Sequence, residues 1–185
     1  MNTEDIIARV STGINAPANK VWDALTNPKI IKQYMFGTEV KSDFRVGSPI
    51  TWKGEWEGKK YEDKGRIREA LTDRLLQYSH FSPLTGEKDI PENYHIVTIT
   101  LTETSGKTHV TLTQDNNPTD KAREHSEKNW SGMLEGLKKT VEGNASGAED
   151  TLPVGRHGAE EMRDTERGKW LFAVIQKSAS KFGCQ

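Results

Sequence analysis

The chain has 185 residues, 29% of them charged and 33% hydrophobic, which suits one domain with a small core, or one domain plus a tail. Lys and Arg number 26 against 27 Asp and Glu, so a net charge of -1 supplies no global positive field for nucleic acid or an anionic membrane. The 5 Trp, 5 Phe and 4 Tyr exclude a disordered chain, and no apolar run approaches the length of a membrane-spanning helix.

Ile6 to Ile14 reads as a strand with Ile6, Ala8, Val10 and Ile14 on one face. Asn15-Ala16-Pro17 ends it and opens a helix whose apolar side is Val21, Trp22 and Leu25. Asn27-Pro28 breaks the chain, and Ile30, Ile31 and Tyr34 predict a second short helix. Between Ser48 and Glu57, Ile50, Trp52 and Trp56 alternate with Thr51, Lys53, Glu55 and Glu57, a period of two with one dry face. Glu57-Gly58-Lys59 suits a hairpin turn into a strand that sets Tyr61, Asp63, Gly65 and Ile67 on one face. Leu76, Tyr78 and His80 alternate next, then a Ser82-Pro83-Leu84-Thr85-Gly86 loop follows. His95, Val97, Ile99 and Leu101 alternate with polar residues, and Val110, Leu112 and Gln114 close the series after a Ser105-Gly106 turn. One buried face per strand predicts an antiparallel sheet covered on one side.

The cover is a predicted helix over Thr119 to Glu142, with Thr119 or Asn117 as N-cap and Gly143 as its stop. Trp130, Met133, Leu134, Leu137 and Val141 form its single apolar stripe. Residues 1–142 are therefore expected to form the domain, and residues 143–157 a linker. In the tail, residues 158–185, a further helix is predicted with Trp170, Leu171, Val174, Ile175 and Phe182 on its apolar side. That stripe is expected to dock on its own domain, the alternative being a second chain.

The phrases Val21-Trp22-Asp23-Ala24-Leu25-Thr26-Asn27-Pro28, Gly47 with Trp52, and Lys64-Gly65-Arg66-Ile67 resemble the helix-grip, START-like (SRPBCC) superfamily. Tyr78-Ser79-His80-Phe81-Ser82-Pro83-Leu84, Pro91-Glu92-Asn93-Tyr94-His95, Thr113-Gln114-Asp115-Asn116-Asn117 and Asn129-Trp130 are similar to one branch of it. That branch is the homologues of the activator of the heat-shock-protein-90 ATPase, in its C-terminal-domain form. The resemblance covers about residues 5–142 and implies an α+β fold: a curved antiparallel sheet of six or seven strands wrapped around the long helix, with a cavity between them. It says little about function, because the superfamily hosts carriers, cyclases, hydrolases and co-chaperones.

The chemistry-bearing residues narrow the choice. No pair among His80, His95, His109, His125 and His157 has the i, i+4 spacing of a zincin, and Cys184 is the single cysteine, so no metal or other cofactor is expected. No Gly-x-Ser-x-Gly elbow and no phosphate-cradling glycine motif occurs. Asp63 on an inward face, with His80, is the one general acid or base candidate, against a simpler reading as a structural carboxyl satisfied by Tyr78, His80 or water. Trp52, Trp56, Tyr78 and Trp130 either fill a core or line an apolar pocket. Val97, Ile99, Met133, Leu134 and Leu137 would complete that pocket, with Asp63, His80, His95 and Gln114 as its polar groups.

The expected function is therefore non-catalytic binding of a small apolar or amphipathic molecule between sheet and helix. A co-chaperone-like role, docking on a heat-shock chaperone, and an enzyme working through Asp63 and His80 are the alternatives. The acidic opening residues have no secretory-signal pattern, which with a lone cysteine points to the cytoplasm. Neither nucleic acid nor a membrane is expected as partner, and the oligomeric state is open.

Overall fold

The computed structural model describes residues 6–56 and 58–146, without the side chains of Trp56 and of residues 144–146. The expected tail helix and most of the expected linker lie outside the described residues.

Strand β1 (Ala8–Ile14) buries Ala8 and Ile14 and turns Arg9 and Ser11 to solvent. Helix α1 (Ala18–Thr26) follows Pro17 directly; the N–H that proline lacks would be unpaired at a helix start anyway. Asn27 serves two helices at once. Its backbone N–H bonds the Asp23 carbonyl at 2.8 Å, and its side chain accepts from the Lys29 N–H at 3.1 Å to cap α2 (Pro28–Tyr34). Next comes β2 (Glu39–Lys41), which the sequence reading missed because three residues are too few for alternation to register.

The strands β3 (Pro49–Trp56), β4 (Lys59–Leu71), β5 (Leu75–His80), β6 (His95–Thr104) and β7 (Lys107–Gln114) complete the sheet. Its seven strands run β1-β7-β6-β5-β4-β3-β2, every neighbouring pair antiparallel. The first strand thus pairs with the last, Ala8 facing Gln114 and Ile14 facing Thr108. Ser105 and Gly106, at φ 51° and 74°, make the tight β6–β7 turn, whose backbone twist matches that of the strands it joins.

The long helix α3 (Asp120–Ser146) lies against the sheet. Thr119 is its cap, accepting from the Ala122 N–H at 3.1 Å, whereas Asn117 instead donates to the Ile6 carbonyl at 2.8 Å. The helix does not stop at Gly143 but runs four residues into the stretch read as linker. Gly143 has no left-handed φ, and a glycine that stays helical weakens a helix by about 1 kcal/mol without ending it. Met133, Leu134, Leu137 and Val141 bury into one core with Ile14, Leu76, Ile99 and Leu112. Charged residues of α3 also cap the open edge of β1. Glu127 accepts from the Arg9 N–H at 3.1 Å, Lys138 donates to the Gly13 carbonyl at 2.6 Å, and Glu142 accepts from the Asn15 N–H at 2.8 Å. These contacts blunt an edge that could otherwise pair with another chain.

Candidate functional site

Alternation along β3 and β5 brings Trp52 and Tyr78 to the helix-facing side of the sheet, where their ring centroids stand 5.2 Å apart. With Ile99, and with Trp130 and Met133 from α3, they wall a cavity of about 30 Å³. The rest of its wall comes from residues that were not expected at the site. Tyr34 and Ile31 enter from α2, Leu25 from α1 and Val40 from β2; Met35 and Phe44 come from loops, and Ile50 and Leu76 from the sheet. The volume holds about one water. Met35, Phe44 and Trp130 are only partly buried and mark where the wall meets solvent.

A polar border adjoins this wall. Trp52 stands directly opposite Asp63 in the β3–β4 register, and its ring meets the His80 imidazole edge-on at 5.1 Å. His80 Nε2 lies 3.1 Å from Asp63 Oδ2, while Asp63 Oδ1 is buried with no hydrogen-bond partner. His95 faces His80 across the β5–β6 register and donates from Nδ1 to the Asp115 carbonyl at 3.0 Å. On the opposite flank Trp130 Nε1 donates to Gln114 Oε1 at 2.6 Å; Gln114 in turn donates to Asn117 at 3.3 Å and Ser126 at 3.4 Å. One buried network therefore joins β7 to α3.

Among the residues expected to line a pocket, the structure gathers Trp52, Tyr78, Ile99, Trp130 and Met133 around the cavity. Val97, Leu134 and Leu137 are buried in the core instead, outside the cavity wall. Asp63, His80, His95 and Gln114 form the polar surroundings, and the Trp56 side chain lies outside the described residues. Ile50 and Leu76 were recognisable as partners of Trp52 and Tyr78 by alternation; Met35 and Phe44, in loops, carry no periodic signal. Among the described residues, no three His, Cys, Asp or Glu side chains converge as a metal site. Nor is any described helix long and apolar enough to cross a membrane.

The electrostatics follow from burial. Desolvation pushes the Tyr34 and Tyr78 hydroxyls far above their ordinary range, so both stay neutral. Tyr34 is satisfied by donating to the Ala24 carbonyl at 3.0 Å. Burial likewise holds His95 below its ordinary value, an effect that the positive charge of His80 would add to and the Asp115 carbonyl opposes. The unfolded chain, with an ordinary imidazole near 6.5, therefore binds more protons than the folded one just below that pH. Stability is expected to fall as pH drops from about 7 towards 5, and His95→Gln should flatten that slope in urea titrations. Exposed carboxylates such as Glu39 and Asp89 lose their own contributions at lower pH, so they do not imitate this window. An unchanged slope in the variant would show that His95 is not its source.

The sequence pattern of the family described as "Activator of Hsp90 ATPase homolog 1-like protein" matches residues 15–142. The solution structure of ChR145 from Cytophaga hutchinsonii is 63% identical, covering 76% of this chain and 96% of its own, with a TM-score of 0.68. Protein MLL2253 from Mesorhizobium loti is 23% identical over 74% of this chain and 96% of its own, with a TM-score of 0.59. The Aha1 dimer from Colwellia psychrerythraea is 21% identical over the same shares, with a TM-score of 0.57. The last two share the fold. No curated protein matches the chain.

Proposed function

The chain belongs to the family of activator of Hsp90 ATPase homolog 1-like proteins, and from that premise we propose that it binds a small apolar or amphipathic molecule between the sheet and α3. The observation that carries this reading is the apolar cavity walled by Tyr34, Trp52, Tyr78, Trp130 and Met133. At about 30 Å³ it is far smaller than the few hundred Å³ that ligand pockets occupy, so binding requires the wall to open. The make-up of the wall supports this reading. Met35 and Met133 are flexible thioether chains, and Met35, Phe44 and Trp130 are only partly buried.

Eight-carbon probes titrated into the full chain test this by NMR. Saturable one-to-one binding is expected, with the largest shifts at the indole N–H groups of Trp52 and Trp130. Trp130→Ala should still melt cooperatively yet bind about tenfold more weakly, having lost a wall ring and the Gln114 contact. Absence of saturable binding, or an unaltered affinity in the variant, would overturn the reading.

A second reading, regulation of a heat-shock chaperone ATPase from the domain surface, is supported by the family description. It predicts stimulated ATP turnover when the chain is added to the chaperone, and an unstimulated rate refutes it.

A further inference from the structure

One buried group next to the cavity is left incomplete. Asp63 is 3% exposed, and its carboxyl has a single partner, His80, through Oδ2 at 3.1 Å. Oδ1 is buried with no hydrogen bond. An unmet buried acceptor is costly, and more so when charged, so native chains keep few of them. Neighbouring hydroxyls do not supply the missing donor. Tyr61, on the same face of β4, bonds Thr38 Oγ1 at 2.8 Å, and Tyr34 is committed to Ala24. Tyr78 lines the cavity with a hydroxyl whose shift arises from burial alone, with no hydrogen bond contributing.

The incomplete group is continuous with the cavity wall. Trp52 is at once a wall residue, the cross-strand partner of Asp63 and the ring that meets His80 edge-on. A ligand that displaces or slides past Trp52 therefore meets Asp63 and His80 next. On α3, Asn129, beside the wall residue Trp130, is also buried with its Nδ2 unpartnered.

We propose that the Asp63–His80 pair is the head-group subsite of this cavity, and that its ligand is amphipathic, an apolar body ending in a hydrogen-bond donor, hydroxyl or ammonium, that pairs with Asp63 Oδ1. This rests on the cavity-binding reading above. The apolar body occupies the space opened among Tyr34, Trp52, Tyr78 and Met133. The donor head completes the carboxyl, whose other oxygen His80 holds in place. A molecule whose head only accepts hydrogen bonds leaves Oδ1 unmet and binds more weakly by the worth of that bond.

Three probes of equal chain length separate the outcomes: 1-octanol, octylammonium and methyl octanoate, the last without a donor. On the full wild-type chain the first two are expected to bind about tenfold or more tightly than the ester, and to move the His80 ring resonances. Asp63→Asn keeps the shape and removes the anionic acceptor, and should erase the preference for octylammonium over the ester. Equal binding of all three probes to the wild type, with His80 unmoved, overturns the head-group assignment and leaves the cavity reading standing. Failure of every probe to bind overturns the cavity reading and this inference with it. Should the variant fold poorly, the wild-type ranking and the His80 shifts decide the matter alone.

Discussion

Gly65→Ala is expected to lower stability by about 3 kcal/mol or more, the largest effect of any single methyl added to the sheet. A Cβ built on Gly65 would lie 1.7 Å from the Ser79 carbonyl oxygen and 2.7 Å from its carbon. Both atoms are backbone, so no side chain can swing aside to make room. The two strands are tied on either side of this point. Lys64 and Phe81 exchange backbone bonds of 2.9 and 2.8 Å, and the Arg66 N–H donates to Ser79 Oγ at 3.0 Å. Moving β4 away from β5 to admit the methyl breaks these and shifts Asp63 and Ile67, which are buried on either side. Against the 5–15 kcal/mol of an ordinary domain such a loss is large. Urea unfolding should show a much lower midpoint with a similar slope. A wild-type midpoint would mean that the strands do not approach this closely.

Leu137→Ala is expected to cost about 2–5 kcal/mol. Leu137 is 0% exposed in the middle of the α3 stripe, flanked by Met133, Leu134 and Val141. Truncation removes three buried carbons and leaves a void that a sheet and a helix, each fixed by its own hydrogen bonds, close only in part. Leu137→Met nearly conserves volume and should cost less than about 1.5 kcal/mol. Comparable losses in the two variants would show that something other than the void governs the site. The position also discriminates between core and pocket. Because Leu137 does not line the cavity, its truncation should unsettle the fold while leaving the preference among head groups unchanged.

Much of this architecture was legible in the residues. Ile50 and Trp52, Tyr61 with Asp63 and Ile67, Leu76 with Tyr78, and Val97 with Ile99 and Leu101 all alternate, and all are buried on one face as alternation requires. The stripe of α3 was equally clear, since 3.6-residue spacing keeps Met133, Leu134, Leu137 and Val141 on one side. The missed pieces share a cause. β2 is three residues long, and Met35 and Phe44 sit in connections without periodicity, so nothing local marked them as wall residues. Gly143 suggested a stop, yet the helix continues through it, and this glycine does not adopt the left-handed conformation that commonly closes a helix.

The sequence by itself determined which side chains face inward, since each strand or helix sorts its residues by a short period set by exposure to water. The arrangement of those elements was decided in three dimensions. That β1 lies beside β7, that α2 and β2 close the cavity, and that only about 30 Å³ remains follow from contacts between residues far apart in the chain. The volume left inside a core is a small difference between side-chain volumes and the space that backbones enclose, and no local period encodes it. The same holds for Asp63. Alternation placed its carboxyl inward, but only the packing of His80, Trp52 and Tyr61 around it left one oxygen without a donor.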